Sequence, residues 1–297
     1  MYLNVKETAE KWKISERSVR NYCSHGKIPG AIIDGKSWKI PKNAVKPVRK
    51  KRNAMIPRDL LTRLTIEKNP EFPDGIYHKI QIDLTYNSNH IEGSQLSHDQ
   101  TRYIFETNTI GIQNETINVD DIVETANHFK CIDLIIDLAN YPLSESLIKQ
   151  LHLILKSGTS DSRKSWFAVG DYKRIENEVG GMPTTKPENV CKELKALLKS
   201  YNNIKQKSLK EIIEFHYEFE KIHPFQDGNG RVGRLIMFKE CLRNGITPFI
   251  IEDDIKEFYY RGLKEWKNEQ GYLVDTCLTA QDRFKTYLDY FGIEYKD

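Results

Sequence analysis

The sequence predicts a mostly α-helical protein built from a small N-terminal head and a larger helical body that carries one β-hairpin. Apolar residues recur at helical spacing through most of residues 57–297, as they do in amphipathic helices. The pattern breaks between Trp166 and Pro187, a stretch with three glycines. A chain of 297 residues has room for one large or two modest domains, each with its own core.

The composition is typical of a soluble globular protein, with 39% hydrophobic and 29% charged residues. No run approaches the roughly twenty apolar residues of a membrane span, and the N-terminus has no apolar signal segment. We therefore expect no membrane partner. The five cysteines are scattered and odd in number, which favours reduced thiols, a cytoplasmic location and no zinc site.

The net charge of +3 conceals a strong asymmetry along the chain. Residues 1–56 contain fourteen Lys and Arg against four Asp and Glu, a balance of 14 − 4 = +10, so the remainder carries 3 − 10 = −7. Such a split indicates a head that faces nucleic acid, attached to an acidic body.

The sequence of the head predicts two short helices. Asn4, with a glutamate three residues later, is a candidate capping box for a helix from Val5 to Lys13. Ser15 can cap a second helix that runs to about His25, and Gly26 would end it.

A β-hairpin is predicted to follow these helices. Two short β-rich runs, 31–33 and 37–40, flank the tripeptide 34–36 (Asp-Gly-Lys), and Asp-Gly between such runs is typical of a hairpin. Over residues 1–46 this order resembles the small winged helix-turn-helix of excisionase and MerR-type DNA-binding proteins. The resemblance implies that the second helix enters the major groove of DNA and that the hairpin meets phosphate.

The residues that this resemblance assigns to DNA are Arg17, Ser18 and Arg20 on the second helix, with Lys36 and Lys39 on the hairpin. A head that serves only protein contacts is the alternative. Residues 47–56 are densely basic without apolar periodicity and are predicted to be a linker. Because such a run can also contact phosphate, we expect DNA to be a partner of residues 1–52.

The sequence of the body predicts several core helices. Apolar spacing indicates helices over 121–138, 144–155 and 209–222, and a last one from 280 to 291. Residues 107–118 are polar and are predicted to form a loop.

The most informative stretch of the chain lies between two predicted helices, from His223 to Arg234. The first helix should end at His223, because Pro224 has no N–H and disfavours helical angles in the residue before it. The segment 228–230 (Gly-Asn-Gly) can turn its N–H groups inward as an anion nest at the start of the second helix.

Two arginines stand at the beginning of that second helix. Arg231 and Arg234 are three residues apart and so share one face of the first turn. Basic side chains are unusual there because the helix dipole disfavours cations at its N-terminus. The arrangement indicates a site for a polyphosphate.

The stretch from His223 to Arg234 resembles the signature of the Fic family, histidine-proline-phenylalanine-x-acid-glycine-asparagine-glycine-arginine-x-x-arginine, at all nine specified positions. The resemblance implies a Fic-type helical bundle over residues 57–297. It also implies a protein adenylyltransferase that moves AMP from ATP to a Ser, Thr or Tyr hydroxyl of a target protein, which can be the protein itself. The kinase-like branch of the family departs from the Gly-Asn-Gly segment that is present here.

Each residue of the signature then has an expected role. His223 would take the proton from the attacking hydroxyl, and Asp227 would hold Mg²⁺ beside the phosphates. The α- and β-phosphates would bind Gly228, Asn229 and Gly230. Arg231 would neutralise charge that grows on them in the transition state, and Arg234 would hold the γ-phosphate.

A second motif lies upstream, on a predicted helix near 80–93. Ser88-x-x-x-Glu92-Gly93 resembles the Fic inhibitory motif, Ser/Thr-x-x-x-Glu-Gly/Asn, in the subclass that carries it N-terminal to the signature. The resemblance implies that Glu92 pairs with Arg234 through a charge-assisted contact and restrains the enzyme. Ser88 would bond within the helix end or to the signature.

The stretch from Trp166 to Pro187 resembles the β-hairpin flap of the family. The resemblance implies that the main chain of Val179, Gly180 and Gly181 pairs with an extended segment of the target by strand addition. Where the family commonly has arginine after the tyrosine, this chain has Lys173. An ordinary surface hairpin is the alternative.

Aromatic residues follow the signature on a predicted helix within 246–269. Tyr259 and Tyr260 resemble the adenine-side wall of the family, with Tyr260 the favoured contact, and Asn268 resembles a polar partner of the nucleoside. Aromatic side chains at this spacing are also common in cores, which is the alternative.

Three other functions stay open at this point. Glu92 could position water, so the same site could remove AMP from a modified protein. The chain could instead be a DNA-binding regulator whose Fic body modifies itself or a partner. Transfer of phosphate or of another nucleotide is less favoured because Gly-Asn-Gly is intact. The family resemblance also allows a homodimer.

Overall fold

The computed structural model describes residues 2–24, 27–34, 37–47, 57–69, 74–111 and 116–295, without the side chain of Arg17. The chain divides into two compact units, Met1–Ile56 and Pro57–Asp297. Several features predicted above lie outside the described residues: the helix stop at Gly26, the hairpin turn with Lys36, and all of the linker after residue 47.

The N-terminal unit contains two helices and a three-stranded antiparallel sheet. Its elements are β1 (Tyr2–Leu3), α1 (Val5–Trp12), α2 (Glu16–Ser24), β2 (Ile32–Asp34) and β3 (Ser37–Pro41), with strand order β1-β3-β2. The two helices and the hairpin are as predicted. Strand β1 was not predicted, because two residues show no periodicity; it forms through pairing with β3, Tyr2 opposite Pro41.

The capping residues of the head act locally. The Asn4 side chain accepts a hydrogen bond from the Glu7 N–H at 2.8 Å, and the Glu7 carboxylate accepts one from the Asn4 N–H at 2.9 Å. Ser15 Oγ accepts from the Ser18 N–H at 3.2 Å. A small core then joins both helices to β3 through side chains that include Ala9, Trp12, Val19 and Ile40.

The body contains ten helices and one two-stranded hairpin among its described residues, which confirms the predicted mostly helical architecture. In chain order they are α3 (Leu60–Glu67), α4 (Ile76–Ile91), α5 (His98–Thr107), α6 (Val119–Asp137), α7 (Glu145–Lys156), β4 (Glu178–Val179), β5 (Met182–Pro183), α8 (Pro187–Asn203), α9 (Leu209–Ile222), α10 (Asn229–Asn244), α11 (Lys256–Glu265) and α12 (Gly271–Phe291). The last helix begins nine residues earlier than the apolar spacing predicts, at Gly271.

Helix α10 is the centre of the body. Every residue from Arg231 to Leu242 is buried, and the helix packs against α4, α6, α7 and α9. Such a helix shows no amphipathic pattern because it is covered on all sides. The signature loop lies at its N-terminal end, so the loop is supported by the largest core of the protein.

None of the described helices is both long and apolar enough to cross a membrane. All five cysteines are free thiols, and four of them are buried.

Helices α9 and α10 are closely packed at Gly233. A Cβ added there would lie 2.7 Å from Glu220 Oε1 and 2.7 Å from the His216 ring. Both neighbours are themselves packed in place, and the His216 ring is held by Tyr259 at 2.7 Å. Position 233 therefore requires glycine for reasons of space.

Gly233→Ala should destabilise the body. Alanine gains about 1 kcal/mol over glycine in a helix interior, but overpacking in a closed core costs about 1–3 kcal/mol, so we expect a lower midpoint of thermal unfolding. Gly111→Ala is the control, because nothing lies within 4 Å of its added Cβ. A midpoint equal to or above that of the native protein would contradict the close packing described here.

Candidate active site

The loop between α9 and α10 is shaped by its own residues. His223 ends α9 in the left-handed conformation, at φ 51°, and its N–H donates to the Phe219 carbonyl at 2.9 Å. Gly228, at φ 83°, begins α10. Between them the Asn229 side chain accepts from the Phe225 N–H at 2.8 Å and donates to the Phe225 carbonyl at 2.9 Å. The Asn229 side chain thus closes the loop, and only its backbone N–H is left for a ligand.

Phe225 anchors this loop in the core, as expected from its place in the signature. Its ring is fully buried and stacks on the His152 ring, with centroids 4.0 Å apart and planes 6° from parallel. His152 in turn accepts a hydrogen bond from the Gly170 N–H at 2.9 Å. The loop is therefore tied to the segment that leads into the flap.

His223 faces the site from the end of α9, with 15% of its side chain exposed. Its Nδ1 lies 3.3 Å from the Glu220 carbonyl oxygen, so Nδ1 carries the proton and Nε2 keeps its lone pair. Burial, together with the nearby charge of Lys173, lowers the pKa of His223 to about 4. The imidazole is neutral at pH 7 and can accept a proton at Nε2.

Asp227 and Arg231 belong to a buried ionic cluster that sequence reasoning missed. Asp227 Oδ2 accepts from Lys156 Nζ at 2.7 Å and from Arg231 Nη2 at 3.2 Å. Arg231 also bonds Glu124, which accepts from Lys156 Nζ at 2.5 Å. Partial burial opposes ionisation of Asp227, but Arg231 and Lys156 outweigh it and hold the pKa of that carboxyl well below its usual range.

The Asp227 side chain stays 48% exposed, so its ionised carboxylate is available to a cation that approaches from the ligand side. One carboxylate beside an anion nest suits Mg²⁺, which binds proteins through one or two carboxylates plus substrate phosphates. Within the described ranges, no group of three or more His, Cys, Asp or Glu side chains is arranged to hold a metal. The residues present therefore fit a Mg²⁺ ion that arrives with a nucleotide.

Arg234 is 4% exposed and makes all its described hydrogen bonds to α4 and its C-cap. Its Nε donates to Ser88 Oγ at 3.0 Å, and its Nη2 donates to the Ser88 carbonyl at 2.9 Å and to Glu92 Oε1 at 2.7 Å. A Cβ on Gly230 would lie 2.2 Å from that same Glu92 oxygen. The Glu92 carboxylate therefore covers the nest as well as Arg234. Gly93 follows at φ 98°, where the chain turns away.

Glu220 is a further acidic group at the site, and nothing in the sequence distinguishes it from other helix carboxylates. It lies three residues before His223, with Oε2 at 3.8 Å from His223 Nδ1. Burial, reinforced by the charge of Glu92, raises the pKa of Glu220 to about 8. The group is therefore protonated at neutral pH and adds no charge next to Glu92.

The predicted flap is the β4–β5 hairpin. Gly180 and Gly181 form its two-residue turn with φ 56° and 75°, as hairpin turns of this length favour, and Val179 pairs with Met182. The flap is fastened to the signature loop by Lys173, whose N–H donates to the Pro224 carbonyl at 2.9 Å.

Two side chains complete that attachment. Lys173 Nζ donates to Asn177 Oδ1 at 2.7 Å and to Thr184 Oγ1 at 2.5 Å. Asn177 Nδ2 donates to the Phe225 carbonyl at 3.1 Å. These contacts place the flap next to His223. They depend on Lys173, which the sequence analysis noted only as a departure from the family pattern.

Of the three predicted adenine contacts, Tyr259 and Tyr260 lie side by side, with ring centroids 5.6 Å apart. Tyr259 is buried, bonds His216 at 2.7 Å and lies under the Arg234 guanidinium, 5.9 Å from ring centroid to Cζ. Tyr260 is 41% exposed and donates to the Ile91 carbonyl at 2.9 Å. Asn268 is exposed and donates to Glu265 at 3.0 Å. Tyr259 therefore contacts Arg234, and Tyr260 contacts the end of α4. Asn268 makes its hydrogen bond to Glu265 at the end of α11.

In the head, Arg20 and Lys39 are exposed and Ser18 is half-buried, and all three already have partners. Ser18 shares a hydrogen bond with Ser15 at 2.9 Å, and Arg20 pairs with Glu16 at 2.6 Å. Lys39 pairs with Asp34 across the hairpin. The remaining two candidates, the Arg17 side chain and Lys36, lie outside the described residues.

The pKa of His223 can be measured directly by NMR titration of its ring protons. We expect a value near 4 in the native protein, and a higher value, still below 6.5, in Lys173→Met, because burial remains after the positive charge is gone. Lys186→Met is the control, since that lysine is exposed and pairs with Glu176. An unchanged pKa in Lys173→Met would show that Lys173 exerts no field at the imidazole.

Comparison with known proteins finds a family match within each unit. Residues 142–241 match the Fic/DOC family model, and residues 2–52 match a helix-turn-helix domain model. Protein adenylyltransferase Fic from Drosophila grimshawi is 29% identical over 187 residues, which cover 60% of this chain and 36% of that protein. The counterpart in Drosophila mojavensis is also 29% identical, over 60% of this chain and 35% of that protein. The chain thus spans about a third of the length of the curated relatives it matches.

Solved structures show the same fold. A Fic domain containing signaling protein from Bacteroides thetaiotaomicron superposes with a TM-score of 0.62 at 20% identity, covering 80% of this chain and 98% of that one. A Fic family protein from Desulfovibrio desulfuricans gives 0.59 at 22% identity, covering 80% and 73%. The chain therefore carries a Fic/DOC domain of the Fic fold, with a helix-turn-helix domain ahead of it in the sequence.

Proposed function

We propose that the body, residues 57–297, is a protein adenylyltransferase that moves AMP from ATP to a hydroxyl side chain of a target protein. The observation that carries this proposal is the loop from His223 to Arg234, in which a neutral imidazole, an anion nest and two buried guanidiniums occur within twelve residues. The curated relatives named protein adenylyltransferase support it.

In the proposed reaction, the backbone N–H groups of Gly228 and Gly230 bind the α- and β-phosphates at the positive end of α10. The target hydroxyl oxygen attacks the α-phosphorus, and its proton passes to His223 Nε2. The bond from the α-phosphorus to the bridging oxygen breaks, and pyrophosphate leaves. Arg231 lies under the loop and offsets the charge that develops on the phosphates.

Asp227 would hold Mg²⁺ in this complex. The ion would supply positive charge to the phosphate oxygens when the nucleotide is bound. Asp227 is ionised and half-exposed, which suits that role.

Glu92 would restrain the enzyme. Its carboxylate accepts a hydrogen bond from Arg234, the proposed γ-phosphate ligand, and lies against Gly230 of the nest. A triphosphate cannot use Arg234 until Glu92 leaves, because the guanidinium is buried and all its described partners belong to α4 and its C-cap. The α4 segment near 80–93 is then an inhibitory helix.

The target would reach the site along the flap. Val179, Met182 and Ile175 are exposed apolar side chains on or next to this hairpin, and its short strands leave backbone groups for an added strand. An extended segment that bears a Ser, Thr or Tyr, from a partner or from a second copy of this chain, is the proposed substrate. The free cysteines suit a reducing compartment such as the cytoplasm.

Label transfer from α-labelled ATP with Mg²⁺ tests both the proposed activity and the proposed inhibition by Glu92. Losing a charge-assisted pair worth about 1.5–3 kcal/mol frees Arg234, so Glu92→Gly should label protein about ten-fold faster or more than the native chain. Glu92→Gly/His223→Ala should not label. The control Glu92→Gly/His78→Ala changes a histidine of α4 that pairs with Glu106 of α5, and it should label like Glu92→Gly.

Equal rates of labelling in the native chain and in Glu92→Gly would contradict the proposed inhibition by Glu92. Removal of AMP from a labelled target, faster with Glu92 present than without it, would favour the second candidate, in which Glu92 orients a water molecule. That candidate has support in the same contact, since the Glu92 carboxylate lies over the nest.

A second proposed function is DNA binding by the head. Ser18 and Arg20 lie on α2, the second helix of the helix-turn-helix match, and Arg20 has 56% of its side chain exposed. The +10 balance of residues 1–56 supports contact with phosphate. The ion pairs of Arg20 and Lys39 are weak at an exposed surface and can open to a phosphate.

The full-length protein should bind duplex DNA with an affinity that falls steeply with salt, because counterions are released from the phosphates. Arg20→Ala should weaken binding and reduce the slope of log K against log salt by about 1 if Arg20 contacts phosphate. Lys199→Ala, an exposed lysine of the body, is the control. Fluorescence anisotropy with no binding at low salt would exclude this role.

A further inference from the structure

Lys156, the last residue of α7, is a buried lysine with three carboxylate partners. Its Nζ lies 2.5 Å from Glu124 Oε1, 2.7 Å from Asp227 Oδ2 and 3.0 Å from Asp161 Oδ2. The side chain is 2% exposed. An ammonium group is rarely buried without compensation, and here three carboxylates compensate it.

The contacts of Lys156 join separate parts of the body at one point. Glu124 lies on α6, Asp161 lies in the short 3-10 turn Asp161–Arg163, and Asp227 lies in the signature loop. The lysine stem passes beneath that loop, with Cδ 3.7 Å from the place of a Cβ on Gly228. The side chain is therefore placed to hold the loop from below without reaching a ligand above it.

The charge of the cluster is balanced. Arg231 bonds Glu124 and Asp227, and Lys164 bonds Asp161 at 2.6 Å. With Lys156, three cations face three carboxylates, so the sum is 3 − 3 = 0. Lys156 and Arg231 both reach the same atom, Asp227 Oδ2. The carboxylate is thus oriented by its inner oxygen, and its charge is already largely offset before any ligand binds.

We propose that Lys156 is a positioning residue of the proposed AMP transfer, an internal cation that orients the Asp227 carboxylate and keeps it from binding a divalent cation without nucleotide. The inference rests on the proposed function for the role of Asp227. It assigns to Lys156 two separable effects: the geometry of Asp227, and the charge that a free metal ion meets. A metal ion that arrives with the polyphosphate brings negative charge with it and is accepted.

Lys156→Met separates these effects from packing. Methionine has a similar length and no charge, so the cluster goes from 0 to −1 and Asp227 keeps only Arg231. A free dication should then bind more tightly, because Glu124 and Asp227 are left with one guanidinium between them. Lys156→Arg keeps the charge, and Lys149→Met, on the same helix but paired with Glu145 and Asp171, is the matched control.

The experiment compares these variants in the Glu92→Gly background by two readouts. Binding of Mn²⁺ without nucleotide is followed by electron paramagnetic resonance, and label transfer from α-labelled ATP gives kcat. For Lys156→Met we expect about ten-fold or greater tightening of Mn²⁺ and a fall in kcat of about 10–100-fold, the usual effect of losing a partner of a metal ligand. Lys156→Arg should keep the Mn²⁺ affinity of its parent and lose less activity.

Lys156→Met/Asp161→Asn extends the test, because it restores the cluster charge to 0 and removes excess negative charge that would oppose folding. Its Mn²⁺ affinity should return towards that of the parent, while kcat stays low because Asp227 is still unsupported. Variants that lose only thermal stability, with Mn²⁺ affinity and kcat unchanged, would overturn the proposal and make Lys156 purely structural. If the Glu92→Gly parent transfers no label, the proposed function fails, while Mn²⁺ binding still decides whether Lys156 controls access of the metal.

Discussion

Two guanidinium groups are buried at the positive end of a central helix, and the site is arranged around that constraint. Arg231 and Arg234 are 5% and 4% exposed at the start of α10, where the helix dipole also disfavours them. A buried charge is tolerated only with hydrogen-bonded partners of opposite sign. Carboxylates therefore converge here: Glu124 from α6 and Asp227 from the adjoining loop on Arg231, and Glu92 from the C-cap of α4 on Arg234.

The two arginines are compensated in different ways, and that difference has functional meaning. Glu124 is held in the middle of α6 and shares Lys156 with Asp227, so the surroundings of Arg231 are built into the core. Glu92 stands at the C-cap of α4, 29% exposed. Tyr260 bonds the Ile91 carbonyl next to it. An anionic ligand can replace a carboxylate at a helix end more readily than one within a core, so in the proposed inhibition Arg234 is the group that would exchange its partner.

Proton chemistry at the site follows from the same arrangement. His223 is surrounded by the end of α9, the flap lysine and Glu220, so its imidazole stays neutral. Glu220 retains its proton near neutrality beside Glu92, which spares the site a second negative charge. The flap reaches His223 through Lys173 and Asn177, which bond the main chain of the signature loop. In the proposed reaction, one continuous set of contacts would position both the substrate and the base.

Local chemistry in the sequence determined the outline of this protein. Pro224 ends α9, glycine at 228 permits the turn into α10, and the Asn4 capping box begins α1, since each acts on neighbouring residues. The charge split and the helical spacing indicated the two units and the mostly helical body. Only the tertiary structure decided the partners of the buried charges. Lys156 pairs with Asp227, 71 positions away, and Glu124 pairs with Arg231, 107 positions away. It also buried Tyr259 beneath Arg234. Such pairings depend on how helices pack against α10, and no local periodicity records which buried charge will face which.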